Sequence, residues 1–157
     1  MKQHPMHKPE RQLSPADTMA LLKRGHHAVL SVNGDEGYPY AVPVNYVLVN
    51  DTVYIHSAPY GYKMECLEKD PKCCLSVIVS AQILPEKMTA KYESVVACGT
   101  ITIVQDREEK VKALEGFVTQ LGAGHEAVGY KMIEKMTDKT AILRFQVDAI
   151  TGKAYLG

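Results

Sequence analysis

Residues 38–48 restrict this chain more than any other stretch. Tyr38, Tyr40, Val42, Val44, Tyr46 and Leu48 fall at every second position, with Pro39, Ala41, Pro43, Asn45 and Val47 between them. A period of two puts the first set on one face of a β-strand. Two prolines in such a strand remove ladder donors, so part of it must lie at a sheet edge or face a ligand. Asn33-Gly34-Asp35-Glu36-Gly37 reads as a turn, and Ala28, Leu30 and Val32 alternate in the run before it. The sheet therefore opens with a hairpin.

The remaining pattern is also mostly β. Val53–His56 reads as a short strand after the Asn50-Asp51 turn. Cys73, Leu75, Val77 and Val79 mark the face of another strand, residues 92–104 a long one, and residues 140–150 the last, with Ala141, Leu143, Phe145, Val147 and Ala149 on one face. Residues 81–90, with Pro85, read as irregular. Ser14-Pro15-Ala16-Asp17 gives a capping hydroxyl, a proline at the first helical position and an acid in the first turn. It starts a helix carrying Met19, Ala20 and Leu22 and stopping at Gly25. Further helices are predicted over 59–70 with Met64 and Leu67 inward, from Arg107 with Val111, Leu114, Val118 and Leu121 on one face, and over 125–136. The prediction is a mainly β (α+β) fold: six antiparallel strands in a closed or nearly closed barrel with peripheral helices.

Composition limits the function classes. The 157 residues fit one domain, expected over 13–157 behind a flexible leader at 1–12. Eighteen Lys+Arg balance eighteen Asp+Glu, which argues against a nucleic-acid-binding face. No apolar run reaches the ~18–20 residues of a bilayer span, and the first eleven residues lack the apolar core of a signal peptide. A cytoplasmic protein with no membrane partner is expected. Cys66, Cys73, Cys74 and Cys98 then read as reduced thiols, and no spacing matches a structural metal site. The Gly-x-Gly-x-x-Gly fingerprint, the P-loop and the Gly-x-Ser-x-Gly elbow are missing.

The segment His56-Ser57-Ala58-Pro59-Tyr60-Gly61-Tyr62-Lys63 holds the best candidate chemistry. It leaves a strand and enters a helix with a glycine and a lysine at the start, so unpaired N–H groups, a dipole end and a cation converge as a phosphate requires. Ser57 adds a hydroxyl. His56, at the strand end, carries a group that transfers protons near neutral pH. From spacing alone, the same residues also read as an ordinary strand-to-helix loop with a solvated lysine and a rim histidine.

Together with Gly37-Tyr38-Pro39-Tyr40-Ala41-Val42-Pro43-Val44-Asn45-Tyr46, Val53-Tyr54-Ile55-His56-Ser57-Ala58 with Gly61-Tyr62-Lys63, Tyr92-Glu93-Ser94-Val95-Val96 with Gly99, and Ile150-Thr151-Gly152-Lys153-Ala154, the chain resembles the flavin-binding split barrels of the pyridoxamine 5′-phosphate oxidase type. Within them it is most similar to the nitroimidazole-resistance (Nim-type) branch. The resemblance implies a homodimer of split barrels with FMN at the subunit interface, FAD and then haem being the alternatives. It implies flavin phosphate on Lys63 with Ser57, Ala58, Gly61 and Tyr62. It places Pro43, Val44 and Asn45 beside the ring, Tyr92 and Ser94 at the cofactor, and His56 as the catalytic residue. The implied activity is FMN-dependent reduction of nitro-aromatic or similar small electron acceptors, with a nicotinamide cofactor as a candidate donor. The alternative is a flavin- or haem-binding carrier or sensor without its own turnover. The C-terminal Ala154-Tyr155-Leu156-Gly157 lacks the Trp/Arg/His substrate motif of oxidases acting on pyridoxamine phosphate, which argues against that substrate.

Overall fold

The computed structural model describes residues 4–157. Of the expected leader, residues 1–3 lie outside the described residues. Its far end is tied to the body: Pro9–Arg11 form a 3-10 turn and Gln12 bridges to Lys153.

Helix α1, Pro15–Arg24, starts where expected, with the Ser14 hydroxyl oxygen accepting from the Asp17 amide. Its buried residues are Thr18, Leu21 and Leu22, while Ala20 is exposed. Positions 18, 21 and 22 share one helical face, and the opposite side of the turn, at Ala20, faces water. The six strands are β1 His27–Asn33, β2 Pro39–Val49, β3 Thr52–Ser57, β4 Lys72–Leu84, β5 Thr89–Ile103 and β6 Ala141–Tyr155. They close into an antiparallel barrel in the order β1-β2-β3-β6-β5-β4. Helix α2, Tyr62–Lys69, buries Met64 and Leu67 as expected, and Cys66 as well. Helices α3, Arg107–Leu121, and α4, Glu126–Met136, complete the chain.

The expected alternation holds through β1 and over Pro39–Val44, where the core lies on one side of the strand; Tyr38 is exposed ahead of β2, and Val47 is buried on the other face, so Tyr46–Leu48 are buried in succession. Ala28, Leu30 and Val32 are buried, and Tyr46 and Leu48 join them in the barrel core with Ile55, Leu75, Val77, Val95, Leu143 and Phe145. Elsewhere long-range pairing overrides the local pattern. Residues 81–84 are not irregular: β4 continues to Leu84↔Thr89, and Pro85–Lys87 form the turn. This hairpin projects past the end of β6, whose pairing with β5 stops at Tyr92↔Tyr155, so its side chains lack the one-sided burial that makes a strand legible. The last strand also runs five residues beyond Ile150. Val147, expected inward, is exposed where β5 and β6 slip register between Cys98 and Gly99. In α3 the buried residues are Ala113, Gly116, Phe117 and Val118, and Leu121 is exposed. Phe117 sets that face by packing in a second cluster with Val47, Tyr54 and Ile142 outside the barrel.

Candidate functional site

The barrel opens where β2 leaves β3. Their pairing runs only from Tyr46↔Ile55 to Val49↔Thr52. Beyond it Pro39–Asn45 pair with β1 alone, and His56 and Ser57 pair only with Ile142 and Ala141 of β6. The Tyr46 amide donates to the His26 carbonyl and the Tyr38 carbonyl accepts from the Gly34 amide, so even-numbered residues aim their backbone at β1. Odd-numbered Pro39, Ala41, Pro43 and Asn45 therefore aim theirs at the open edge. The prolines lose no ladder bond there, which is the edge that their presence in the strand demanded.

At the head of this split, β3 ends in a loop leading to α2. Gly61 stands at φ 108°, a backbone state that side chains disfavour, and its carbonyl accepts from the Met64 and Glu65 amides at 2.8 and 3.2 Å. The Tyr62 and Lys63 amides, which precede those donors, have no acceptor among the described residues. Lys63 is half-buried and has no carboxylate partner among the described residues. Burial holds its ammonium below the usual lysine range. A desolvated cation without a counter-charge, next to free N–H groups, can hold an anion.

His56 lies on the outer face of β3, its ring edge-on to Phe117 with centroids 4.5 Å apart and planes at 80°. Desolvation by the surrounding protein, and then the positive charge of Lys63, push its imidazole below its ordinary value. It is therefore a neutral base at neutral pH. Tyr62 turns the other way: its hydroxyl accepts from the Asp35 amide at 2.8 Å and its ring meets Tyr40 edge-on at 4.9 Å, fastening α2 to the β1–β2 hairpin. The Asn45 side-chain Nδ2 donates to the His26 carbonyl and lies 2.9 Å from His27 Nδ1, so Asn45 offers the split its backbone. Pro43 and Val44 share that open stretch with it.

A cavity of about 680 Å³ lies on the other side of the loop, lined by His56–Tyr60 and by Met136, Asp138, Lys139 and Thr140. The second wall escaped sequence reading. It reaches the loop only through the β3–β6 register, Ser57↔Ala141, which no local pattern reveals. Phe117 was missed for the same reason. A separate cavity of about 440 Å³ touches Cys73, Cys74 and Cys98. Burial pushes the first two thiols up to about 12 and about 11, so they stay protonated and poorly nucleophilic.

Tyr92 and Ser94 do not join the site within one chain. They pair with Tyr155 and Lys153 at the far end of β6, whereas His56 pairs with Ile142 at its start. Thirteen residues separate the two ends, roughly 40 Å at about 3.3 Å each. The Tyr92 hydroxyl accepts from Arg11 at 3.2 Å, and that hydrogen bond lowers its pKa. Arg11 also lies 4.0 Å from the Tyr155 ring centroid. It falls in the expected leader, so its role was not legible.

Residues 14–154 match the family described as pyridoxamine 5′-phosphate oxidase. The chain belongs to that family. Comparison with curated proteins finds no match. Among solved structures it is similar to a candidate 5-nitroimidazole antibiotic resistance protein from Bacteroides thetaiotaomicron, at 23% identity and TM-score 0.76, covering 90% of this chain and 85% of that one. A flavocytochrome from Azotobacter vinelandii is similar at 19% identity and TM-score 0.79, covering 98% and 73%. An FAD- and haem-binding protein from Mycobacterium smegmatis is similar at 19% and 0.78, covering 94% and 74%. These likenesses show the split-barrel fold shared across the family. Among the described residues no helix is long and apolar enough to cross a membrane. The family's flavin fits the residues present: one unpaired cation and free amides for a phosphate, and an open strand edge beside them for a flat ring.

Proposed function

We propose that this chain is a flavin-dependent oxidoreductase of small electron acceptors, nitro-aromatic compounds among them, and that it works as a homodimer. The observation that carries the reading is Lys63, half-buried without a counter-ion beside the free amides of the α2 start. Lys63, Ser57 and those amides would hold the phosphate of FMN, alone or as half of FAD. The open backbone of Pro43–Asn45 would flank the flavin ring. The flavin supplies the redox chemistry, taking up electrons from a donor such as a nicotinamide cofactor and passing them to the acceptor. His56 holds a free ring nitrogen at neutral pH and exchanges a proton with the acceptor. Phe117 fixes the plane of that ring and keeps water from one side of it.

The homodimer reading rests on the roughly 40 Å between His56 and Tyr92 along β6, and on apolar side chains left exposed on the outer sheet face, Val29, Ile78 and Val96. A second copy would cover that face and offer Tyr92 and Ser94 to the flavin of the first. The names of the similar proteins, with their flavin, haem and nitroimidazole associations, point to the same chemistry.

The test is an absorbance spectrum of the purified protein, followed by release and chromatography of any bound cofactor. Flavin bands and a released flavin are expected. Lys63→Ala should weaken flavin binding about 10- to 100-fold, the range of a lost hydrogen bond to a charged group. Unchanged affinity removes the phosphate assignment, and a protein that takes up no flavin removes the function.

A further inference from the structure

We infer that Cys74 and Cys98 are a redox modification site, closing into a cross-strand disulfide when a small-molecule disulfide oxidises them. The two residues stand directly opposite each other on β4 and β5. The kind of pair they form is set at the start of the ladder. The Ile101 amide donates to the Pro71 carbonyl, so positions 71 and 101 are a hydrogen-bonded pair, and such pairs alternate along antiparallel strands. Lys72 and Thr100 are then a non-hydrogen-bonded pair, Cys73 and Gly99 a hydrogen-bonded one, and Cys74 and Cys98 non-hydrogen-bonded again. The register shift of this ladder lies farther on, between Ile78 and Ser80. A non-hydrogen-bonded pair has its Cα atoms about 4.5 Å apart and its side chains drawn together, within the roughly 4.4–6.8 Å that a disulfide spans.

The neighbouring thiols cannot substitute. Cys73 lies opposite Gly99, which carries no sulfur, and it packs in the barrel core, as does Cys66. Cys74 and Cys98 are half-exposed and both line the cavity of about 440 Å³, beside Pro39, Lys72 and Asp148. Val29, Ile78 and Val96, the face given to a second copy, do not line it, so a small oxidant enters beside that face. One cysteine sulfur, as its thiolate, attacks a sulfur of the oxidant; a mixed disulfide forms and the first oxidant thiol leaves with the proton. The other cysteine then attacks the protein-side sulfur of that adduct, and the second oxidant thiol leaves with the second proton. The two electrons given up by the cysteines end in the two released thiols. Burial, and then contact with the Cys98 thiol, hold the Cys74 thiol up to about 11, so the exchange is slow at neutral pH and faster in alkali. The new bond closes a loop of about 25 residues that contains the whole projecting β4–β5 hairpin, which should raise the thermal midpoint by about 7–14 °C.

The full chain is incubated with oxidised glutathione at pH 9 and quenched in acid. Its intact mass and its linked peptides are then read without reduction. Wild type and Cys73→Ala should lose two hydrogen masses and join the Cys74 peptide to the Cys98 peptide, whereas Cys74→Ala and Cys98→Ala should not. Fragmentation of the joined wild-type peptide between residues 73 and 74 identifies the linked sulfur even if a variant fails to fold. The oxidised wild type should melt higher by the stated shift and return to its starting midpoint on reduction. A chain that stays reduced, a glutathione adduct that never closes, or a bond that uses Cys73 or joins two copies would overturn the inference. An oxidised form that melts no higher than the reduced one would overturn it too, since the native strands would then not fit the bond.

Discussion

Tyr46→Phe tests the joint on which the open edge depends. Tyr46 is fully buried, and its hydroxyl donates to the Leu22 carbonyl at 2.6 Å. Helix α1 ends at Arg24 and the Gly25 amide takes the Leu21 carbonyl, so the Leu22 carbonyl has no helical donor to fall back on. Phenylalanine keeps the ring and its packing but leaves that buried acceptor unpaired, which costs about 1–3 kcal/mol. Taking about 2 kcal/mol and a shift of about 2–4 °C per kcal/mol for a chain this long, the thermal midpoint should fall by about 4–8 °C. Circular dichroism melts of wild type and variant measure it. Tyr54→Phe is the internal comparison. Its hydroxyl donates to Glu109, which Arg144 also holds at 3.0 Å, so the acceptor stays satisfied and the loss should be smaller. A Tyr46→Phe midpoint within about 1 °C of wild type would refute the reasoning that this hydroxyl anchors α1 to the bend of β2.

Other outcomes follow from the same geometry. NMR titration of the His56 ring should give a midpoint below its ordinary 6.5, and Lys63→Met should raise it; an unmoved midpoint removes the charge coupling. Because the folded state binds that proton more weakly than the unfolded chain, the His56 contribution to stability is complete above pH 6.5 and declines as pH falls through that value towards the folded midpoint. His56→Gln should flatten that part of the stability–pH curve. Gly99→Ala should destabilise the barrel by about 3 kcal/mol or prevent folding, because a Cβ there collides with the backbone carbonyl of Gln146 across the β5–β6 pair; a near-native urea midpoint would show that the slipped register can absorb a methyl group.

The legible parts of this protein are those whose signal is local. A strand with one buried face declares itself by alternation, so β1 and most of β2 could be read directly; Tyr38 of that alternating set is exposed ahead of the strand, and Val47 of the other set is buried under α3. Gly61 and Lys63 stand out as candidates because a loop, a glycine and a cation within a few residues are the local pattern that an anion requires, and the structure leaves Lys63 without a carboxylate partner among the described residues. The β4–β5 hairpin beyond the barrel, the true face of α3 and the end of β6 could not be read, since their burial is decided by partners far along the chain. The Met136–Thr140 wall is the sharpest case: it stands opposite Ser57 only because residues 57 and 141 pair. Arg11 was hidden differently, since a short polar segment beside two prolines carries no periodic signal even when it packs.

The open edge of β2 has a consequence for the life of the chain before any cofactor arrives. An unpaired strand edge is a template on which another chain can add, and a barrel that leaves one exposed invites fibre-like association. Pro39 and Pro43 aim their nitrogen atoms at that edge, so it lacks two of the donors an incoming strand would need. The two residues that deny the edge its donors thus keep a newly made barrel from being extended by its neighbours.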